Sequence, residues 1–145
     1  MKKDTWVLVA NSSFAKFYKA EKNNKLIEVG ILEHPESRLH DQDLISTEKG
    51  RTFSRMGTMR SSMEFQTSAK VTEYHIFAKE ISNFLDAARE TGKFGKLYLA
   101  ASPSFLGILR QTISRLTGDL VVGQIDRDMT HLKPDEIRNH LPLVL

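Results

Sequence analysis

The chain has no cysteine among its 145 residues. That excludes disulfides, thiolate-bound zinc and thiol nucleophiles, and it fits a reducing compartment such as the cytoplasm. Proline is scarce, with 4 residues, and tryptophan occurs once. No apolar run approaches the roughly 18 residues of a membrane span. The longest early run, Trp6 to Ala10, is too short for the apolar region of a signal peptide. No Gly-rich phosphate loop, dinucleotide fingerprint or Gly-x-Ser-x-Gly elbow follows any candidate strand. An excess of one charge is nearly lacking too. The 21 Lys and Arg against 18 Asp and Glu give +3, which permits a polyanionic partner without demanding one. The length suits one domain over 1–145 with an ordinary core.

What is present reads as an α/β domain. Trp6 to Ala10 is a strand buried on both faces, and Asn11-Ser12-Ser13 is a turn. Phe14 to Ala20 alternates, Asn23-Asn24 turns the chain, and Leu26 to Leu32 forms a third strand, so these three make an antiparallel meander. From Tyr74 the apolar positions Phe77, Ala78, Ile81, Phe84, Leu85 and Ala88 share one helical face. Thr72 is placed to cap that helix and Gly92 to end it. Lys96 to Ala101 is a buried strand. Ser102 and Pro103 then open a helix whose stripe is Phe105, Leu109, Ile113 and Leu116, ended by Thr117-Gly118. Leu120 to Ile125 is a fifth strand. A last helix opens at Pro134, with Leu132 and Ile137 at the spacing of a hydrophobic staple. Three meander strands followed by two helix-linked strands predict a mixed sheet with helices on its faces, the order of ribonuclease-H-like domains.

Between His34 and Thr72 no period holds for more than four residues. A loop of that length is uncommon in a compact domain and is usually functional or disordered. Lys49, Arg51, Arg55 and Arg60 lie within Lys49 to Met63 without one acid, interleaved with Phe53, Met56, Gly57, Met59 and Met63. Arginines among Gly, Ser and Thr suit phosphate groups, and methionines offer an adaptable apolar contact surface. The alternative is a solvated loop. Residues 41–70 are expected to be mobile in the isolated protein and dispensable for folding.

Catalytic constellations are thin. Two-metal nuclease chemistry needs a carboxylate on the first strand, and Trp6 to Ala10 has none. Glu73 and Glu80 are expected on the polar face of their helix. Asp126, Asp128 and His131 cluster past the fifth strand and could ligate a divalent ion, but Asp128 ahead of Thr130 also has the form of a capped turn. His75 reads as a packing or capping residue. His34, His40 and His140 have no partner at ligand spacing. No cofactor or resident metal is implied.

Three segments carry a resemblance: WVLVANSSFAKFYKA at 6–20, GRTFSRMGTMRSSMEFQTSAKVTEYHIFAKEI at 50–81, and VVGQIDRDMTHLKPDEIRNHLP at 121–142. Together with PSFLGILRQ at 103–111, they are similar to the bacterial host-attachment-protein family. Its members show Asp-Leu-Thr-His-Leu where this chain has Asp128 to Leu132, so Asp126, Asp128, Thr130 and His131 are the family-motif residues. The family in turn resembles the central domain of archaeal and eukaryotic peptide-release factors. There, the loop after the third strand carries Gly-Gly-Gln to the ribosome. The corresponding stretch here, Arg55 to Arg60, has only Gly57 and no glutamine, and Gln66 lies too far on. Peptidyl-tRNA hydrolysis therefore does not carry over.

The resemblance and the basic stretch imply a non-catalytic RNA- or ribosome-associated module acting from the cytoplasm through Lys49, Arg51, Arg55 and Arg60. The alternative is a protein–protein adaptor in bacterial attachment to host cells or surfaces, using the Met-rich loop. A metal-dependent hydrolase built on Asp126, Asp128 and His131 is the third reading. Oligomers could form through edge strands of the meander, although no residue identifies an interface.

Overall fold

A computed structural model describes residues 3–23, 25–34 and 56–142, with 56–70 described by backbone alone. The strands are β1 (Thr5–Ala10), β2 (Phe14–Ala20), β3 (Leu26–Glu33), β4 (Lys96–Ala101) and β5 (Val121–Ile125). The helices are α1 (Met56–Glu90), α2 (Pro103–Thr112), α3 (Arg115–Gly118) and α4 (Pro134–Asn139). One mixed sheet has the order β3-β2-β1-β4-β5. The β1–β2 and β2–β3 pairs are antiparallel, and the β1–β4 and β4–β5 pairs are parallel. This is the expected mixed α/β sheet, and its order is compatible with a ribonuclease-H-like arrangement.

β1 is central because it can be buried on both faces. Trp6, Leu8 and Ala10 join β2's Ala15 and Phe17 beneath Phe77, Ile81 and Leu85 of α1 and Phe105 and Leu109 of α2. Val7 and Val9 point the other way and pack with Tyr18, Leu26, Met129, Ile137 and Leu141. Aromatic rings close the first face: Trp6 stacks on Phe94 at 5.1 Å and Phe17 on Phe84 at 4.3 Å. Gly30 admits Phe84, since a Cβ there would fall 2.8 Å from the ring.

Both edge strands are broken by one extra residue. Phe17 pairs with Gly30 and Tyr18 with Glu28, leaving Val29 over; Leu97 pairs with Val121 and Tyr98 with Gly123, leaving Val122 over. These two valines are exposed. A bulge at an edge twists the ladder away from further pairing, so the exposed valines follow from the bulges rather than from a defect in packing.

Two expectations need correction. α1 begins at Met56, so Thr72 lies inside the helix and does not cap it. The expected loop at 34–72 therefore includes a helical stretch from 56 onward, while 35–55 lies outside the described residues. The physical reason is propensity: from Met56 to Val71 there is no proline, a single glycine, and half of the residues are Met, Arg, Glu, Gln, Ala or Lys. The apolar stripe begins only where the sheet begins. The other end of α1 behaves as expected. Gly92 takes φ +73, its N–H donates to Arg89 O at 2.9 Å, and Lys93 N–H donates to Ala88 O at 2.9 Å, which is a Schellman stop.

The second correction concerns α2. It ends at Thr112, Ile113 is extended, and Ser114 starts α3 by accepting from Thr117 N–H. Leu116 is 60% exposed and is not part of the stripe. The break is enforced from α1: Asp86 Oδ1 accepts the Ser114 hydroxyl at 2.5 Å and the Thr117 hydroxyl at 2.6 Å. Burial would raise the Asp86 pKa. Those hydrogen bonds, with nearby Arg89 and Lys79, outweigh it and hold the carboxyl below the ordinary range. The last helix starts at Pro134 as expected. Ile137 is buried, Leu132 packs against the same cluster, and Lys133 N–H donates to Glu136 Oε1 at 3.0 Å.

Candidate functional site

β1, β4 and β5 are parallel, so their carboxyl ends open on one edge, and β3 ends there too. The segment that follows each strand meets its neighbours at that edge. Asn11, immediately after β1, organises the first group. Its Oδ1 accepts the N–H of Ser13 and of Phe14, each at 2.8 Å, which shapes the β1–β2 turn. Its Nδ2 donates to Asp128 Oδ2 and Thr130 Oγ1, each at 3.1 Å.

Asp128 also receives two bonds from Thr130, from the N–H at 2.9 Å and the hydroxyl at 2.6 Å. Lys16, from β2, donates to Thr130 O at 3.0 Å. Partial burial raises the Asp128 pKa. The bonds from Thr130 and Asn11 and the charge of nearby His131 more than reverse this, and the carboxyl titrates below the ordinary range. A carboxylate with several donors and a depressed pKa is a weak proton acceptor. The arrangement fastens the β5–α4 connection to the β1–β2 turn, and the buried Met129 side chain is the plug it holds in place.

Asp126 and His131 are exposed. Among the described residues no group of three His, Asp or Glu side chains is assembled to hold a metal. Asp126, Asp128 and His131 are thus neighbours in sequence that do not form a ligand set, and the capped-turn reading of Asp128 describes the geometry.

The second group lies where α1 reaches the sheet. His34, just past β3, is 5% exposed. Its Nε2 lies 2.7 Å from Glu73 Oε2, and its ring stacks on Phe77 at 5.2 Å. His34 N–H also donates to Ser13 O at 2.8 Å, joining this group to the first. Glu73 is therefore not on the solvent face expected of it; it turns inward to His34, whereas Glu80 is exposed. The pair clamps α1 to the end of β3. About half of α1's 35 residues precede this clamp, a length of about 25 Å at 1.5 Å per residue.

Of the residues expected to contact a partner, Met56, Gly57, Met59, Arg60 and Met63 fall in the opening turns of α1. Lys49, Arg51, Phe53 and Arg55 lie outside the described residues. Sequence reasoning passed over Asn11, Lys16 and the His34–Glu73 pair. Asn11 had a signal, being the polar residue directly after a fully buried strand. His34 and Glu73 had none, since they are 39 positions apart.

A family model described as "Protein required for attachment to host cells" matches residues 6–141. The chain belongs to that family. The match takes in the His34–Glu73 clamp, the Asn11–Asp128–Thr130 fastening and all of the sheet but Thr5. Comparison with curated proteins gives no match. No helix among the described residues of this host-attachment-family chain is long and apolar enough to cross a membrane.

Proposed function

We propose that this host-attachment-family protein is a non-catalytic binding module for RNA, with the ribosome as the natural platform, acting through the basic stretch Lys49 to Met63. The observation that carries the reading is the unbalanced charge of that stretch, Lys49, Arg51, Arg55 and Arg60 with no acid, leading directly into α1. The helix that the stretch leads into is clamped to the end of β3 at Glu73. The resemblance to the release-factor central domain, whose loop after the third strand meets RNA, supports the same placement. The absence of a Gly-Gly-Gln sequence makes the module a binder rather than a peptidyl-tRNA hydrolase.

The test is RNA affinity measured by fluorescence anisotropy over a salt series. Neutralising about four phosphates through these residues contributes about −2.8 to −3.6 to the log–log slope. Replacing Lys49, Arg51, Arg55 and Arg60 together by alanine should remove that contribution. A slope near zero in the native protein, or an unchanged one in the variant, removes the reading.

One feature favours the second reading, a protein–protein adaptor. Met56, Met59 and Met63 recur at helical spacing within α1, the pattern by which a helix docks in a partner's groove. A stoichiometric protein partner that survives nuclease treatment and is lost on replacing these three methionines would establish the adaptor instead.

A further inference from the structure

The amino edge of the sheet, opposite the clamp, gathers a second set of cations. β1 and β4 start side by side there, with Thr5 opposite Lys96, and β2 ends beside them, with Lys19 opposite Trp6. Three segments meet at this edge: 3–4, the β2–β3 turn, and the α1–β4 connection. Gly95 N–H donates to Asp4 O at 2.8 Å, and Glu21 N–H to Lys25 O at 2.7 Å. Lys3 lies against Gly95, where a Cβ would fall 2.8 Å from the Lys3 Cβ. Asp4 lines one open cavity with Glu21, Lys22, Asn23 and Lys25.

The lysines here outnumber the acids and most are unengaged. Lys19 pairs with Glu21 at 3.4 Å, and Glu90 lies 3.7 Å from Arg89. Lys3, Lys22, Lys25, Lys93 and Lys96 are exposed, and none of their ammonium groups has an ion-pair or hydrogen-bond partner among the described residues. Lys3, Lys19, Lys22, Lys25, Lys93 and Lys96 against Asp4, Glu21 and Glu90 give these segments +3, equal to the net charge of the whole chain, so the rest of the chain sums to neutral. Arg89, the arginine at the end of α1, is engaged with Asp86, Glu90 and Thr117.

We infer that this lysine edge is a second contact surface for a nucleic-acid backbone, at the opposite end of the sheet from the α1 clamp. The inference deepens the RNA reading above. From β3 to β4 the row crosses three strand spacings of about 4.8 Å, or about 14 Å. The phosphates of one strand of a B-form duplex advance about 3.4 Å per step along the axis and those of A-form RNA advance less, so the row can meet at least four of them. Lysine is a flexible point charge that contacts phosphate without demanding the planar, bidentate geometry of arginine. An acidic protein would ask instead for an apolar centre within a polar rim, and of the seven residues lining the cavity two, Ala20 and Ile27, are apolar.

The experiment uses the full chain and a labelled RNA hairpin, with anisotropy measured across a salt series. An edge variant changes Lys22, Lys25, Lys93 and Lys96 to Gln; an arm variant changes Lys49, Arg51, Arg55 and Arg60 to Ala. Thermal unfolding of each confirms the fold, and a Lys-to-Arg edge variant tests whether charge alone suffices. The edge variant should bind at least tenfold more weakly at low salt, with a slope shallower by about 2.8–3.6, and the Arg version should retain binding. Native affinity and slope in the edge variant overturn the second surface whatever the arm variant does. Loss in the edge variant with an unaffected arm variant upholds it and removes the arm from the RNA reading. Absence of hairpin binding by the native chain, including a preference for anionic vesicles over RNA, overturns both.

Discussion

One face of the sheet lies under a long helix, where Phe77, Ile81 and Leu85 meet Trp6, Leu8 and Phe17; the other lies under Met129, Ile137 and Leu141 from a short C-terminal segment. α4 has 6 residues, too few to persist as an isolated helix. The first face is held by a continuous apolar stripe and stacked rings. The second depends on a few buried plugs and on the polar fastening among Asn11, Asp128, Thr130 and Lys16. Burial at the two faces therefore rests on different devices. Packing of a long element suffices on one side, and a short element has to be tied down on the other.

The largest effect should come from the first face. Phe77→Ala empties a fully buried site beside His34 and Phe105 and should cost about 3–5 kcal/mol, read as a lower denaturation midpoint for the whole domain. Ile137→Ala on the second face should cost about 2–5 kcal/mol. In native-state hydrogen exchange, the β5–α4 segment of that variant should open before α1. Simultaneous opening of both faces would erase the proposed difference between them.

Asp128→Ala removes the shared acceptor of Asn11 and Thr130 and should cost about 1–3 kcal/mol, with new exchange confined to 11–16 and 126–141. An equal loss of protection in α1 would show that the fastening serves the whole domain.

The pH dependence compares the faces again, because Asp86 secures α3 on the first and Asp128 secures the second. Both carboxyls titrate lower in the folded protein than when unfolded. Their stabilisation is therefore present above the unfolded value of about 3.9 and is lost as pH falls through the folded values. Urea midpoints measured from pH 7 to pH 3 should fall with acid, and Asp128→Asn should flatten part of that fall. The smallest effect is expected at the edge bulge. Val29→Thr should stay within about 0.5 kcal/mol of the native protein, since Val29 is left over from the ladder and faces solvent. A larger loss would mean that the bulged valine has a packing role.

Much of the architecture was legible in residue patterns. The both-faced burial of Trp6 to Ala10, the meander, the stripe from Tyr74 to Ala88, the stop at Gly92 and the opening of α4 at Pro134 are local signals, and each arises from side-chain periodicity or cap chemistry. The early part of α1 was hidden because no apolar period runs through 56–71 in the sequence. The end of α2 was hidden because Ile113 and Leu116 continue the apolar spacing, while the break is imposed by Asp86 of a different helix.

The sequence by itself determined the element types, the mixed α/β class and the concentration of charge between Lys49 and Met63. Those depend on neighbours within a few residues. Only the tertiary structure decided that Asn11 holds Asp128, that His34 meets Glu73, and that three lysine-bearing segments share the amino edge. Each brings together groups far apart in the chain, and no local spacing encodes them. Strand order and register set those distances, through pairing energies summed over the whole sheet.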